Sequence, residues 1–295
     1  MPWTLLAVAL LAGAPKQASG AAEYALRVSI GENRIEPVGN TVVLPVVAVG
    51  GSLAFSLEVT NIGDEAGSAI TVTLTGNGFS LQNPQGSPVV LAPGARVSMP
   101  AIFRPLAVSS VDGRASIAGR DFVIRGIGGE PPLLPAVRLG GLPDQLEPLQ
   151  QPAVGLELAG PYPADLSGTL QLAFFSDSFQ DDLAVQFAHG TRTVEFRIAA
   201  GTTRAVFAGG NTVVRFQTGS TAGRVTFDPQ FRVESVVVRP PAGTIVSREI
   251  GRLAPRILTL AVGNRWEYGF ELLITGIPTP RDVQRLTLEF TGKEG

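Results

Sequence analysis

The chain has 295 residues, 44% of them apolar and only 16% charged, with 23 basic residues against 25 acidic ones and no cysteine. An apolar-rich, nearly neutral chain excludes disorder and offers nucleic acid no basic surface, and the missing thiols exclude disulfides, thiolate metal sites and an acylated N-terminal cysteine. The length predicts two domains of roughly 100–150 residues, and 35 glycines with 23 prolines suit short strands joined by tight turns.

Residues 1–22 read as a signal peptide: an apolar run from Leu5 to Ala14, rich in Leu and Ala rather than β-branched residues, then the small residues of Gln17-Ala18-Ser19-Gly20-Ala21-Ala22. Met1-Pro2-Trp3-Thr4 supplies no basic side chain, so only the terminal amine marks the n-region. Cleavage between about Gly20 and Ala22 is expected, giving a secreted, periplasmic or cell-surface protein. No later run approaches the roughly 20 apolar residues that a spanning helix needs, so no membrane insertion is expected after cleavage.

Beyond the signal, Leu26, Val28 and Ile30 share one face of a strand by period-two alternation. Thr41 to Val49 is a more uniformly apolar run. Leu53, Phe55, Leu57 and Val59 then alternate cleanly up to the turn cluster Asn61-Ile62-Gly63-Asp64, and Ile70, Val72 and Leu74 form the next inward set. Asn77-Gly78, Ala92-Pro93-Gly94 and Asp112-Gly113 separate further strands, the last being Asp121 to Arg125. This spacing predicts an immunoglobulin-like sandwich of about seven strands over residues 23–130.

Val59-Thr60-Asn61-Ile62-Gly63, Gly78-Phe79, Leu91-Ala92-Pro93-Gly94, Phe103-Arg104-Pro105 and Ile124-Arg125-Gly126-Ile127-Gly128 follow one another in that order. Together they resemble the abnormal-spindle/Hydin (ASH) class of immunoglobulin-like domains over residues 51–129, departing from its pattern after Pro105, where the turn glycine is delayed to Gly113. The resemblance implies a sandwich with a scaffold or interaction role and no reaction.

Residues 131–152, opened by Glu130-Pro131-Pro132-Leu133-Leu134-Pro135, read as a linker and entry strand, since proline stiffens the chain and opposes helix. Strand signals resume over residues 153–295, predicting a second sandwich whose last strands run Arg256 to Val262, Tyr268 to Thr275 and Val283 to Phe290. The stretch from Asp181 through Arg192-Thr193-Val194-Glu195-Phe196-Arg197-Ile198 to Gly223 looks like domains of uncharacterised, modular bacterial extracellular proteins. The fold class expected is thus all-β, with two tandem sandwiches behind a signal peptide.

Little in the chain promises chemistry. His189, the one histidine, stands in the turn Ala188-His189-Gly190 with no Gly-x-Ser-x-Gly elbow to pair with it. Gly126-Ile127-Gly128-Gly129 imitates a dinucleotide loop, but Glu130-Pro131-Pro132 follows where a helix N-terminus is needed. The acidic run Asp177 to Asp182 lacks the ligand spacing of a calcium loop and reads as solvated. Asn61 and Asp64 are better explained by side chains bonding to turn backbone than as ligands. Lys16 lies in the signal and Lys293 in the tail after the last predicted strand, which excludes a Lys–Asn isopeptide cross-link inside the sandwiches.

Trp266 and Tyr268 are the one candidate ligand-binding pair. Period two puts both rings on one strand face, a possible platform for a sugar, although the simpler expectation makes them inward-facing core residues at a strand start. No catalytic, metal or cofactor residue is assigned. The sequence therefore predicts a secreted, non-enzymatic structural or interaction module, with a protein partner or self-assembly favoured over a carbohydrate-binding accessory role.

Overall fold

The alternating apolar runs become strands, and no α-helix occurs among the described residues. A computed structural model describes residues 21–83, 88–178, 180–277, 279, 283 and 285–291. The predicted signal peptide lies outside these, except for its last two residues.

Residues up to 129 supply β1 (Tyr24–Ile30), β2 (Asn33–Ile35), β3 (Thr41–Ala48), β4 (Leu53–Asn61), β5 (Val72–Thr75), β6 (Phe79–Leu81), β7 (Arg96–Phe103), β8 (Ser110–Ile117) and β9 (Arg120–Gly129). One sheet runs β2-β1-β4-β7-β6 and the other β3-β9-β8-β5. With β1, β4, β7 and β6 as A, B, E and D, and β5, β8 and β9 as C, F and G, this is the constant-type immunoglobulin order. The strand β3 extends the second sheet beside G. Alternation on β4 works as expected: Phe55, Leu57 and Val59 are buried, and Leu53 packs at the margin of the same core.

The centre of this core is aromatic. Phe79 stacks on Phe103 with ring centroids 4.6 Å apart and meets Phe55 edge-on at 6.4 Å. These rings fit because the facing strands offer glycines: a Cβ on Gly113 would stand 2.9 Å from Phe79 Cδ2, and one on Gly126 would overlap the Phe103 ring. On the outer face, Arg125 holds Asp112 through two bonds of 2.7 and 2.8 Å, while Arg114 and Ser116 hold Asp121. The guanidinium bond from Arg125 keeps the Asp112 carboxyl below its ordinary range, and that from Arg114 does the same for Asp121. Their contribution is present at neutral pH and is lost as acid protonates them; being exposed, it is small.

The second unit contains β10 (Val137–Gly140), β11 (Gln145–Leu146), β12 (Ala153–Leu158), β13 (Leu166–Ser176), β14 (Val185–Phe187), β15 (Thr193–Ile198), β16 (Val206–Phe207), β17 (Val213–Thr218), β18 (Gly223–Val233), β19 (Val236–Val238), β20 (Val246–Ile250), β21 (Arg256–Trp266) and β22 (Gly269–Ile277). One sheet is β10-β12-β17-β14; the other is β11-β20-β18-β13-β15-β16, with β19 paired to β18. The long sheet matches the variable-type pattern, in which C′ and C″ extend G-F-C and here become β15 and β16. The D position departs from that pattern: β14 fills it and precedes β15 in the chain. Gly168 on β13 lies opposite both Phe196 and Phe231, whose rings are 5.3 Å apart, and a Cβ on it would stand 2.5 Å from Phe196 Cζ.

The stretch 131–152, expected as a linker and entry strand, carries β10 and β11 and buries Leu134 and Leu146 in the second core. The buried Tyr162 hydroxyl also donates to the Pro132 carbonyl at 2.7 Å. The prolines there fall between β9, β10, β11 and β12 and within none of them, so no ladder N–H is lost. One expectation needs correction: the last predicted strands are not paired into the sheets of the second sandwich. Instead β21 and β22 form a separate two-stranded sheet, and the described residues among 283–290 carry no strand.

Candidate interaction surfaces

Most side chains that suggested chemistry are occupied in building the fold. Asn61 is fully buried, and its Nδ2 donates to the carbonyls of Leu91 at 2.9 Å and Glu65 at 2.8 Å, while its Oδ1 accepts the Gly63 N–H at 3.0 Å. It closes the turn after β4 in the manner expected. His189 is exposed in its turn, with Nε2 2.9 Å from Thr191 Oγ1 and the ring stacked on Phe187. Gly126 to Gly129 lie within β9, and the next element in the chain is the strand β10.

The acidic run is tied to the protein at three points. Asp177 accepts Arg252 Nε at 2.9 Å, and Asp181 accepts Arg192 at 2.7 Å. Asp182, only 4% exposed, accepts the N–H groups of Ser220 at 2.8 Å and Ala184 at 3.1 Å, bracing the loop before β14 against the one before β18. With these carboxylates already engaged, EDTA is expected to shift the melting temperature by less than about 2 °C, under what 1 kcal/mol moves a domain of this size. A fall of about 10 °C in calorimetry sinks this expectation.

Trp266 and Tyr268 are not core residues, which reverses the simpler expectation. They are 59% and 88% exposed, at the tip of the β21–β22 hairpin. Nor do they share a strand face, because Trp266 ends β21 and Tyr268 sits in the two-residue turn with Glu267, to whose carboxylate its hydroxyl donates at 2.8 Å. The Trp266 indole lies over Gly269, which carries no Cβ to displace it.

The hairpin itself is amphipathic. Register pairs Leu260 with Ile274, Val262 with Leu272 and Arg265 with Phe270, so directly opposed side chains make one apolar face with a single charge at its end. The other face carries Thr259 opposite Thr275, Ala261 opposite Leu273, and the carboxylate of Glu271 beside Asn264. At its base Thr279 donates to the Leu253 carbonyl at 2.7 Å and accepts the Leu253 N–H at 2.9 Å. Leu260, Val262 and Phe270 remain 62%, 46% and 46% exposed. The period-two signal is present in the sequence, but by itself it reads as the inner face of the second sandwich.

A second surface is not visible in the sequence, since it exists only through cross-strand register. Ser167 on β13 is opposed by Arg197 of β15 on one side and Arg232 of β18 on the other; Val206 and Val237 continue the row outward. Two exposed guanidinium residues thus flank a small hydroxyl across an open groove of about 720 Å³. Glu195 lines the same groove, so its charge is mixed.

No family model matches the chain, and no curated protein does. Among solved structures it is similar to the adhesin InvE of Yersinia pseudotuberculosis, at 11% identity over 78% of this chain and 60% of that one, with a TM-score of 0.33. It is similar to the surface layer protein SbsC, domains 4–9, at 12% identity over 82% and 37%, TM-score 0.24. The C-terminal domain of the Streptococcus pyogenes antigen I/II-family protein AspA gives 11% over 77% and 99%, TM-score 0.27. The chain thus spans about 60% of the first of these structures. Superpositions this loose carry no functional argument; the immunoglobulin-like reading rests on the sheet orders.

Proposed function

We propose that the chain is an exported, non-enzymatic structural or adhesion-type module that works through protein–protein contact. One observation carries this reading: the polar groups that suggested catalysis or metal binding are tied into turns and loops, while the C-terminal hairpin offers an apolar face. Contiguous apolar surface on a soluble protein marks a contact site. The test is retention of purified residues 21–295 on envelope fractions of the producing cell. Protease treatment of the envelope is expected to abolish retention and periodate treatment to leave it; the opposite pattern sinks the proposal. Export is tested separately by N-terminal sequencing, which is expected to find a start between Ala21 and Glu23; an intact Met1 on cytoplasmic protein counts against it.

The exposure of Trp266 and Tyr268 keeps a carbohydrate-binding accessory role as the second reading, because solvent-facing rings are what a sugar stacks on. The double change Trp266→Ala with Tyr268→Ala separates the two. Both rings being exposed, it is expected to alter stability by no more than about 0.5 kcal/mol and to leave envelope retention unchanged. Loss of binding to insoluble polysaccharide in that folded variant favours the sugar reading instead.

A further inference from the structure

We propose that two copies of this chain pair face to face through the apolar side of the β21–β22 hairpin, extended by the tail 285–290. The inference rests on reading the chain as a contact module, and it names the first partner as a second copy of itself. An isolated two-stranded hairpin is at best marginally stable in water, and its usual remedy is a third strand or a packed layer over its apolar face. Part of such a layer is present. Phe290 of the tail meets Phe270 edge-on, ring centroids 5.8 Å apart, and Leu286 and Leu288 stand shortly before it in the tail. The cover is incomplete, since Leu286, Leu288 and Phe290 are themselves 56%, 47% and 66% exposed.

Area and charge favour a second copy as the missing layer. Leu260, Val262, Phe270, Leu286, Leu288 and Phe290 each leave roughly 100 Å² uncovered, about 600 Å² per copy; doubled, this reaches the lower end of the roughly 1,200–2,000 Å² that stable protein interfaces bury. A patch of this size stands at the top of the roughly 300–600 Å² that the largest apolar patch on a monomer usually covers, and such patches are often functional. On the hairpin face only Arg265 is charged, and it stands at the tip end beside Phe270. Antiparallel stacking about a two-fold axis keeps the two Arg265 side chains at opposite ends, so the same patch is complementary to itself. The formal net charge of −2 puts little repulsion between copies.

The test is sedimentation equilibrium of residues 21–295 from about 1 to 100 µM, as the parent chain, as Leu260→Glu with Phe270→Glu, and as Leu273→Glu. All three positions are exposed, and Leu273 lies on the polar face. The parent is expected to show a monomer–dimer equilibrium within this range. The double variant should weaken it at least 100-fold with the calorimetric transitions of the sandwiches unchanged, and Leu273→Glu should change it less than threefold. A parent that stays monomeric at 100 µM overturns the pairing, as does a dimer indifferent to the double change or equally sensitive to Leu273→Glu. A monomeric chain whose protease-sensitive envelope retention is lost in the double variant assigns the face to another protein: the pairing then falls while the contact-module reading stands. A dimer without envelope retention leaves the pairing and removes the adhesion role.

Discussion

Gly126→Ala is expected to destabilise the first sandwich by about 3 kcal/mol, at the upper end of the usual cost of overpacking a core. The added methyl must occupy space held by the Phe103 ring, whose Cζ, Cε1 and Cε2 are the three atoms nearest to it. Phe103 cannot swing away, because Phe79 is stacked on it and is itself bounded by Gly113 on the facing sheet. Alanine also lowers the entropy of the unfolded chain, a gain of about 0.4–1 kcal/mol that offsets only part of the overlap. The melting temperature of this unit should fall by about 12–24 °C, followed by NMR signals of β4 and β9, with β13 as the internal control. Phe103→Leu, which removes the overlapping ring atoms, should be less harmful in the Gly126→Ala background than alone, with a coupling of about 1 kcal/mol or more. A Gly126→Ala protein within about 0.5 kcal/mol of the parent means the ring relaxes and the explanation is wrong.

The same glycine shows where the sequence stops being informative. In the chain it belongs to Gly126-Ile127-Gly128-Gly129, which imitates a nucleotide loop and lacks the helix that such a loop needs. Its role depends on Phe103, 23 positions earlier in the chain and on the opposite sheet, and local pattern holds no record of that pairing. Period-two alternation reports which residues share a face, so β4 is legible residue by residue. It does not say what lies over that face. The apolar side of β21–β22 reads the same whether a second sheet covers it or not, and pattern alone therefore places the hairpin in the second sandwich. In residues 131–152 proline-rich composition describes backbone stiffness and not burial, and Leu134 and Leu146 show that a stiff segment can still be buried. The groove between Arg197 and Arg232 depends on the register of three strands, which turn residues alone do not specify.

Asn61→Asp should destabilise the first sandwich more than Asn61→Ala, although it is the closer match in shape. Alanine removes the Asn61 bonds, leaving the buried Leu91 carbonyl without its donor and the turn without its brace, at a cost of about 2 kcal/mol. Aspartate keeps the acceptor for the Gly63 N–H but presents an anionic oxygen to the carbonyls of Leu91 and Glu65, in a site with no solvent exposure and no cation bonded to it among the described residues. A buried, uncompensated charge costs about 3–5 kcal/mol, so at pH 7 the loss should be about 4 kcal/mol. Desolvation and the facing carbonyls both disfavour the charged form, so the folded-state pKa of the introduced carboxyl must rise above the unfolded value near 3.9, roughly that of a free aspartate side chain. The sign follows from linkage. The variant's stability is highest below the unfolded pKa, where the protonated carboxyl can donate to one of the carbonyls, and it is lost as pH rises through the folded pKa. Denaturant unfolding read on β4 signals from about pH 3.5 to 8 should therefore show Asn61→Asp converging on the parent in acid and falling below Asn61→Ala at neutral pH. A flat difference between Asn61→Asp and the parent across that range would mean that water or a rearranged turn solvates the carboxylate, and that Asn61 is not the buried brace its three bonds describe.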